Sequence, residues 1–157
     1  MDRLAPEQRS RLMARIRGRD TGPELFVRSF LHRRGLRFRL HVGGLPGRPD
    51  LVLPRYRAAI FVHGCFWHGH TCRAGSVRPK TNARFWAEKL ARNRERDRRS
   101  IAALRRAGWR VLVVWECSLR DADRLEARIG RWLAGLTPIA KSRGGAPASR
   151  PSRRSRS

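Results

Sequence analysis

The chain has 157 residues, enough for one compact domain with a sizeable core and too few for two. Its 37 Lys and Arg stand against 12 Asp and Glu, a formal net charge of +25, so its natural partner is a polyanion. No apolar run approaches the roughly 20 residues of a spanning helix and the start lacks the apolar stretch of an export signal, which favours nucleic acid over a membrane and predicts a cytoplasmic protein.

Residues 6–17 carry Leu12, Met13 and Ile16 on a helical stripe among Arg side chains, as in a basic helix lying on a polyanion or a loosely docked arm. Asp20-Thr21-Gly22-Pro23 marks a second helix start, a capping side chain just before Pro in the first turn. Leu25, Phe26, Phe30 and Leu31 give that helix an apolar face, and Gly35 stops it. Strands are predicted at 37–41, 50–53 and 58–62, the last short, apolar and β-branched near its end. A long helix, or two abutting ones, is predicted over 85–107, with Trp86, Leu90, Ile101 and Leu104 inward and Gly108 as terminator. Residues 110–115 contain Val111-Leu112-Val113-Val114, apolar on both faces, which predicts a central strand covered by helices. A final amphipathic helix is predicted over 123–133.

This order predicts an α/β fold with a mixed central sheet flanked by helices, formed by residues 1–136, of which 1–19 are a contacting arm. Beyond Leu136 the composition turns to Ser, Arg, Pro and Gly, so 137–157 is predicted to be a basic disordered tail. The tail holds six basic residues and no acid, so most of the positive charge belongs to the folded body.

Between the predicted strand at 58–62 and the long helix, His63-Gly64-Cys65-Phe66-Trp67-His68-Gly69-His70-Thr71-Cys72 packs three of five histidines and two of three cysteines into ten positions. An odd cysteine count without an export signal argues against a disulfide framework and for a metal. Cys65, His70 and Cys72 are three soft ligands, and Cys117, just past the long apolar strand, supplies a fourth if that strand runs beside the segment, making a closed structural zinc site. Buried free thiols with surface histidines are the alternative. Zinc in that role leaves His68 and His63 for other work.

Arg48-Pro49-Asp50 places a carboxylate at the mouth of an apolar strand, and a second strand ends about a dozen residues later. Phosphodiester cleavage needs a hard cation such as Mg²⁺ on a carboxylate and a base for the attacking water, and this is the outline of restriction-endonuclease-like nucleases. Pro-Asp also serves as an ordinary turn at strand starts. The expected acid followed by Lys on the next strand is absent, the residues there being Ile60-Phe61-Val62-His63, so His68 is the natural base because neutral imidazole takes a proton near pH 7. Glu24 and Asp97 are the other acids of interest. Asp97 follows Lys89 and Asn93 at spacings of four, either a functional line or a solvated face among Arg94, Arg96 and Arg98. Phe66 and Trp67 are large aromatics in a loop beside a basic surface, suited to wedging between base pairs or to anchoring the core.

Pro-Gly-Arg-Pro-Asp (46–50), Phe-x-His-Gly-Cys-Phe-Trp-His (61–68), Phe-Trp-x-x-Lys (85–89), Asn-x-x-x-Asp (93–97) and Gly-Trp-Arg-Val-Leu-x-Val-Trp-Glu-Cys (108–117) together resemble the very short patch repair (Vsr) DNA mismatch endonucleases, over about residues 13–120. The resemblance implies a restriction-endonuclease-like fold and Mg²⁺-dependent nicking of double-stranded DNA 5′ of the thymine in a T·G mismatch, the lesion left by 5-methylcytosine deamination. Carried over by position, Asp50 and the backbone carbonyl of Val62 would hold Mg²⁺, and His68 would be the general base. Glu24, His63 and Asp97 would hold metal-bound waters, and Cys65, His70, Cys72 and Cys117 would bind zinc. Phe66, Trp67 and Trp86 would intercalate, with Met13 entering from the N-terminal helix. The family tends to have Thr where this chain has Val62, and often His where it has Gly69; a carbonyl ligand does not depend on the former side chain. The resemblance also implies a functional link to a cytosine-5 DNA methyltransferase and a repair polymerase, and a one-strand nick at an asymmetric lesion suits a monomer. A zinc-stabilised DNA-binding module without catalysis, and a nuclease of broader mismatch or restriction-type specificity, are the alternatives.

Overall fold

A computed structural model of the chain describes residues 20–140; the expected basic helix at 6–17, with Met13, and the tail past 140 lie outside the described residues. The first helix, α1, spans Gly22–Arg33. Thr21 caps it, its hydroxyl accepting from the Glu24 N–H at 3.4 Å. It ends in a left-handed turn at Gly35 (φ 69°), where Leu36 N–H donates to Leu31 O and Gly35 N–H to His32 O, the paired bonds that close a helix C-terminus. Strands β1 (Arg39–Leu40), β2 (Leu51–Leu53) and β3 (Ala58–His63) follow. Then come α2 (Ala83–Arg106), β4 (Arg110–Trp115) and α3 (Ala122–Ala134). Helix α2 closes at Gly108 (φ 83°) with the same pair of bonds that ends α1.

The four strands form one sheet in the order β1-β2-β3-β4, antiparallel except for the parallel β3/β4 pair that α2 connects. The predicted first strand shrinks from five residues to Arg39–Leu40, because its partner β2 has only three residues and both β1 side chains face solvent. The last strand has the predicted bounds. On β3 and β4 alternate residues face opposite layers. Ala58, Ile60, Leu112 and Val114 pack with Val27, Phe30 and Leu31 of α1 and Leu125 and Ile129 of α3. Ala59, Phe61, Val111 and Val113 pack on the other side with Ile101 and Leu104 of α2. This is a mixed sheet flanked by helices on both faces, as predicted. Of the inward candidates on α2, Leu90 and Leu104 are buried, whereas Trp86 leaves the sheet and joins an aromatic cluster on the Cys/His loop. Among the described residues no helix is long and apolar enough to cross a membrane.

Candidate active site and metal centre

The parallel pairing of β3 with β4 brings the two halves of the site together: His63 lies opposite Trp115, so the loop leaving β3 and the turn leaving β4 start side by side. At this end of the sheet a cleft of about 600 Å³ is lined by Glu24 from α1, Asp50 before β2, Val62 and His63 of β3, His68 of the loop and Asp97 of α2, among others. The five acids and histidines expected to carry chemistry therefore share one cavity. Gly47, at φ 73°, has to be glycine in the wall of this cleft, since a Cβ there would meet Ser100 Cβ at 2.7 Å.

Asp50 Oδ2 accepts a hydrogen bond from the Val62 N–H at 2.7 Å, which fixes the carboxylate across the β2/β3 pair. Burial raises its pKa, the Val62 N–H opposes that shift, and the charge of Glu24 adds to it. Two carboxylates facing one low-dielectric cleft are what a bound cation relieves, so the donor set fits a hard divalent ion. Glu24 is itself buried and well satisfied: Oε2 accepts from Asp20 N–H and from Arg28 Nη2, each at 3.1 Å, and Oε1 from the Thr21 hydroxyl at 3.3 Å. The same acid thus closes the start of α1 and faces the cleft.

His63 and His68 stack with ring centroids 3.8 Å apart and planes within 2°. His68 Nδ1 lies 2.5 Å from Asp97 Oδ2, leaving Nε2 as the ring nitrogen not engaged by Asp97. Although burial pushes the Asp97 carboxyl up, the His68 hydrogen bond and charge hold it below the ordinary carboxylate range. Burial, reinforced by His68, lowers His63 to about 4, so His63 is neutral near pH 7. The polar line on α2 is half-buried against the Cys/His loop rather than solvated. Lys89 Nζ sits 5.2 to 5.6 Å from the ring centroids of Trp86, Trp67 and Phe85, Asn93 Nδ2 donates to Trp67 O at 3.0 Å, and Asp97 holds His68.

Beside the cleft, the ligand atoms of Cys65, His70, Cys72 and Cys117 all lie within 4.8 Å of one another. Cys117 N–H points at Cys65 Sγ (3.3 Å) and Gly75 N–H at Cys72 Sγ (3.4 Å), the usual support for thiolates on a metal. Burial pushes the Cys65 thiol up to about 12 while the His70 hydrogen bond draws Cys72 down to about 6, an imbalance that a soft dication sharing both sulfurs removes. The four donors therefore fit zinc. Gly75 closes this loop at a distance no side chain permits, for a Cβ there would stand 2.1 Å from His70 O. His70 stacks on Trp115 (4.3 Å), whose edge meets His63 (5.2 Å), and Glu116 Oε2 accepts from Cys65 N–H at 3.3 Å while lining the cleft.

Phe66, Trp67 and Trp86 form one cluster, with ring centroids 5.1 to 6.0 Å apart, and Phe85 extends it with about half its surface exposed. The first three are half-buried and pack on one another rather than in either core cluster. Four residues escaped the sequence reading. Trp115 and Glu116 owe their place to contacts distant in sequence, and Arg28 to ion pairs with Asp20 and Glu24 and a contact with His41. His41, with φ 45°, sits 3.7 Å from Glu24 and 3.8 Å from Asp50. A lone histidine in a predicted edge strand gives no signal of that.

Comparison with known proteins shows which nucleases the chain is similar to. The family model described as DNA mismatch endonuclease Vsr matches residues 1–74. The chain is 55% identical over 128 residues to the type II nicking enzyme V.XorIIP of Xanthomonas oryzae pv. oryzae, covering 82% of this chain and 93% of that one. It is 49% identical over 132 residues to the DNA mismatch endonuclease Vsr of Escherichia coli (strain K12), covering 81% and 84%. Among solved structures, the catalytic domain of homing endonuclease I-Bth0305I superposes with a TM-score of 0.50 at 22% identity, covering 73% of this chain and 96% of that domain. At that identity the likeness speaks for the fold alone, and it supports the restriction-endonuclease-like architecture.

Proposed function

We propose, from the premise that this chain belongs to the Vsr family of DNA mismatch endonucleases, that it nicks duplex DNA on the 5′ side of the thymine in a T·G mismatch. The observation that carries the reading is the single cleft in which Asp50, fixed by the Val62 N–H, faces the His63, His68 and Asp97 group. Asp50 and the Val62 carbonyl would hold Mg²⁺, which when bound neutralises phosphate charge and acidifies water. His68, its Nδ1 engaged by Asp97, offers Nε2 to take the proton of the attacking water as that water's oxygen bonds phosphorus, and the oxygen of the bond that breaks takes a proton from solvent. His63 and Glu24 orient waters around the ion. Cys65, His70, Cys72 and Cys117 hold a zinc that fixes the loop carrying His68.

Phe66, Trp67 and Trp86 enter the base stack at the lesion, with Met13 from the N-terminal segment on the other side of the duplex. Unstacking costs less at a mismatch, so the wedge itself contributes to discrimination. Residues 1–136 make up the endonuclease and 137–157 add nonspecific attraction to phosphates, acting as a monomer in the cytoplasm alongside a cytosine-5 methyltransferase and a repair polymerase. The type II nicking enzyme V.XorIIP, at 55% identity, favours one alternative, a nuclease of restriction-type specificity. Incubation with a panel of single-mismatch duplexes and Mg²⁺, followed by mapping of the cut, separates the readings. A T·G-dependent nick 5′ of the thymine is expected, and cutting of matched duplex at equal rate overturns the assignment.

Two consequences concern single side chains. His68→Ala lowers the single-turnover nicking rate by roughly 10²- to 10⁴-fold, the range of a general base, with mismatch binding unchanged. Loss of affinity with an intact rate on bound DNA would remove His68 from the chemistry. Trp67→Ala reduces the preference for mismatched over matched duplex by about 10-fold or more, given stacking of roughly 1–3 kcal/mol per base. Competition binding reads this directly, and an equal loss on both DNAs counts against the wedge.

A further inference from the structure

His41 stands next to Glu24 and Asp50, two of the acids that line the cleft, on a side that none of these roles uses. It is a non-glycine residue in the left-handed region (φ 45°), a conformation that needs support from its surroundings. Its backbone N–H donates to Asp50 O at 3.1 Å, anchoring the ring next to that acid. Around the ring lie Arg28 Nη2, 3.4 Å from Nε2, Glu24 Oε2, 3.7 Å from Nε2, and Asp50 Oδ1, 3.8 Å from Nδ1. A guanidinium has only donors, so the Arg28 contact is a hydrogen bond only if Nε2 is the acceptor. The ring proton is then on Nδ1, on the side of Asp50.

We propose that His41 is a positioning residue for Asp50: Arg28 fixes its neutral ring in the Nδ1–H form, and that N–H is directed at Asp50 Oδ1 while the Val62 N–H holds Oδ2. Both carboxylate oxygens are thereby aimed by protein groups. The separation of 3.8 Å is beyond a hydrogen bond, so in this state the interaction is a dipole facing a charge. Arg28 Nη1 binds Asp20 at 2.6 Å and Nη2 is shared between Glu24 and His41, while its buried Nε has no hydrogen-bond partner among the described residues. Asp20, Arg28, Glu24, His41 and Asp50 form one continuous polar chain from the start of α1 to the expected metal ligand. This rests on the reading of Asp50 as that ligand.

The test uses the full chain with its zinc bound. Nitrogen-15 spectra of the imidazole side chains, recorded without Mg²⁺, are expected to show His41 protonated at Nδ1, and Arg28→Met is expected to shift it toward the Nε2–H form that free histidine prefers. Calorimetric titration with Mg²⁺, and the Mg²⁺ concentration for half-maximal nicking, are expected to rise about 10- to 100-fold in His41→Ala, the usual cost of losing a partner of a metal ligand. His41→Asn, whose amide N–H stands where Nδ1 does, is expected to recover most of that loss, with T·G duplex binding measured in the absence of Mg²⁺ unchanged in both variants. An Nε2–H ring in the unaltered protein, or an unchanged Mg²⁺ requirement in His41→Ala, overturns the proposal. Persistent Mg²⁺-dependent nicking in Asp50→Ala overturns instead the reading beneath it, so the two failures are distinct.

Discussion

Asp50→Ala lowers Mg²⁺-dependent nicking by on the order of a thousandfold or more and leaves T·G duplex binding intact. Charge stabilisation by a catalytic cation is worth several kcal/mol, and each 1.4 kcal/mol is about tenfold in rate. Without its carboxylate the cleft keeps His68 and Asp97 but loses the acid that the Val62 N–H holds in the same cavity. Binding survives because affinity for the duplex comes mainly from cationic side chains on phosphates. It is expected to tighten slightly, since a buried acid no longer repels the phosphate. Asp50→Asn separates charge from shape: the amide oxygen can still accept from Val62 N–H, so the sheet is preserved while the cation loses its anionic ligand. Single-turnover cleavage and gel-shift binding in EDTA measure the two halves. Nicking within tenfold of the unaltered protein by both variants would falsify the metal role.

The second large effect belongs to zinc. Cys117→Ser abolishes stoichiometric zinc binding and destabilises the protein by about 4 kcal/mol or more, the range associated with loss of a structural metal. At about 2–4 °C per kcal/mol for a chain of this size, the melting temperature falls by roughly 10 °C. The sheet has its own core on both faces, so the remainder is expected to stay folded. The Cys/His loop is different, because its own support is a few turn hydrogen bonds and contacts to α2. Nicking is therefore lost together with zinc, since Phe66, Trp67 and His68 all ride on the released loop. Metal analysis and a thermal melt check this, and unchanged zinc content with an unchanged melt would show that the four donors do not form the site. A strong chelator of zinc should reproduce the variant irreversibly, whereas brief EDTA treatment followed by Mg²⁺ should restore activity if only the weaker ion was removed.

What the sequence made legible follows from how local each signal is. Strand β4 is readable because a run apolar on both faces admits few other environments. The ends of α1 and α2 are readable because Gly35 and Gly108 adopt the left-handed turn that glycine makes cheap. The Cys/His quartet is readable from chemistry, since thiols and imidazoles seldom cluster without a reason, and the structure brings all four donors together. Strand β1 was overextended because an edge strand's length is set by its partner, and β2 is short. Glu24 illustrates a different limit. Thr21 and Glu24 stand at capping-box spacing, and the side chain does close α1, but its exposure to the cleft depends on Asp50 arriving from a separate strand. His41 was silent for the same reason.

Helix α2 touches the site at three levels along one face: Lys89 at the aromatic cluster, Asn93 at the loop backbone and Asp97 at the base. At 1.5 Å per residue, the first and last of these are about 12 Å apart along a rigid rod. In the proposed mechanism the helix is therefore a ruler. The point where the stack is opened and the point where the chain is cut keep a constant offset, so the bond to be broken is selected by length, with no need to read the bases between them.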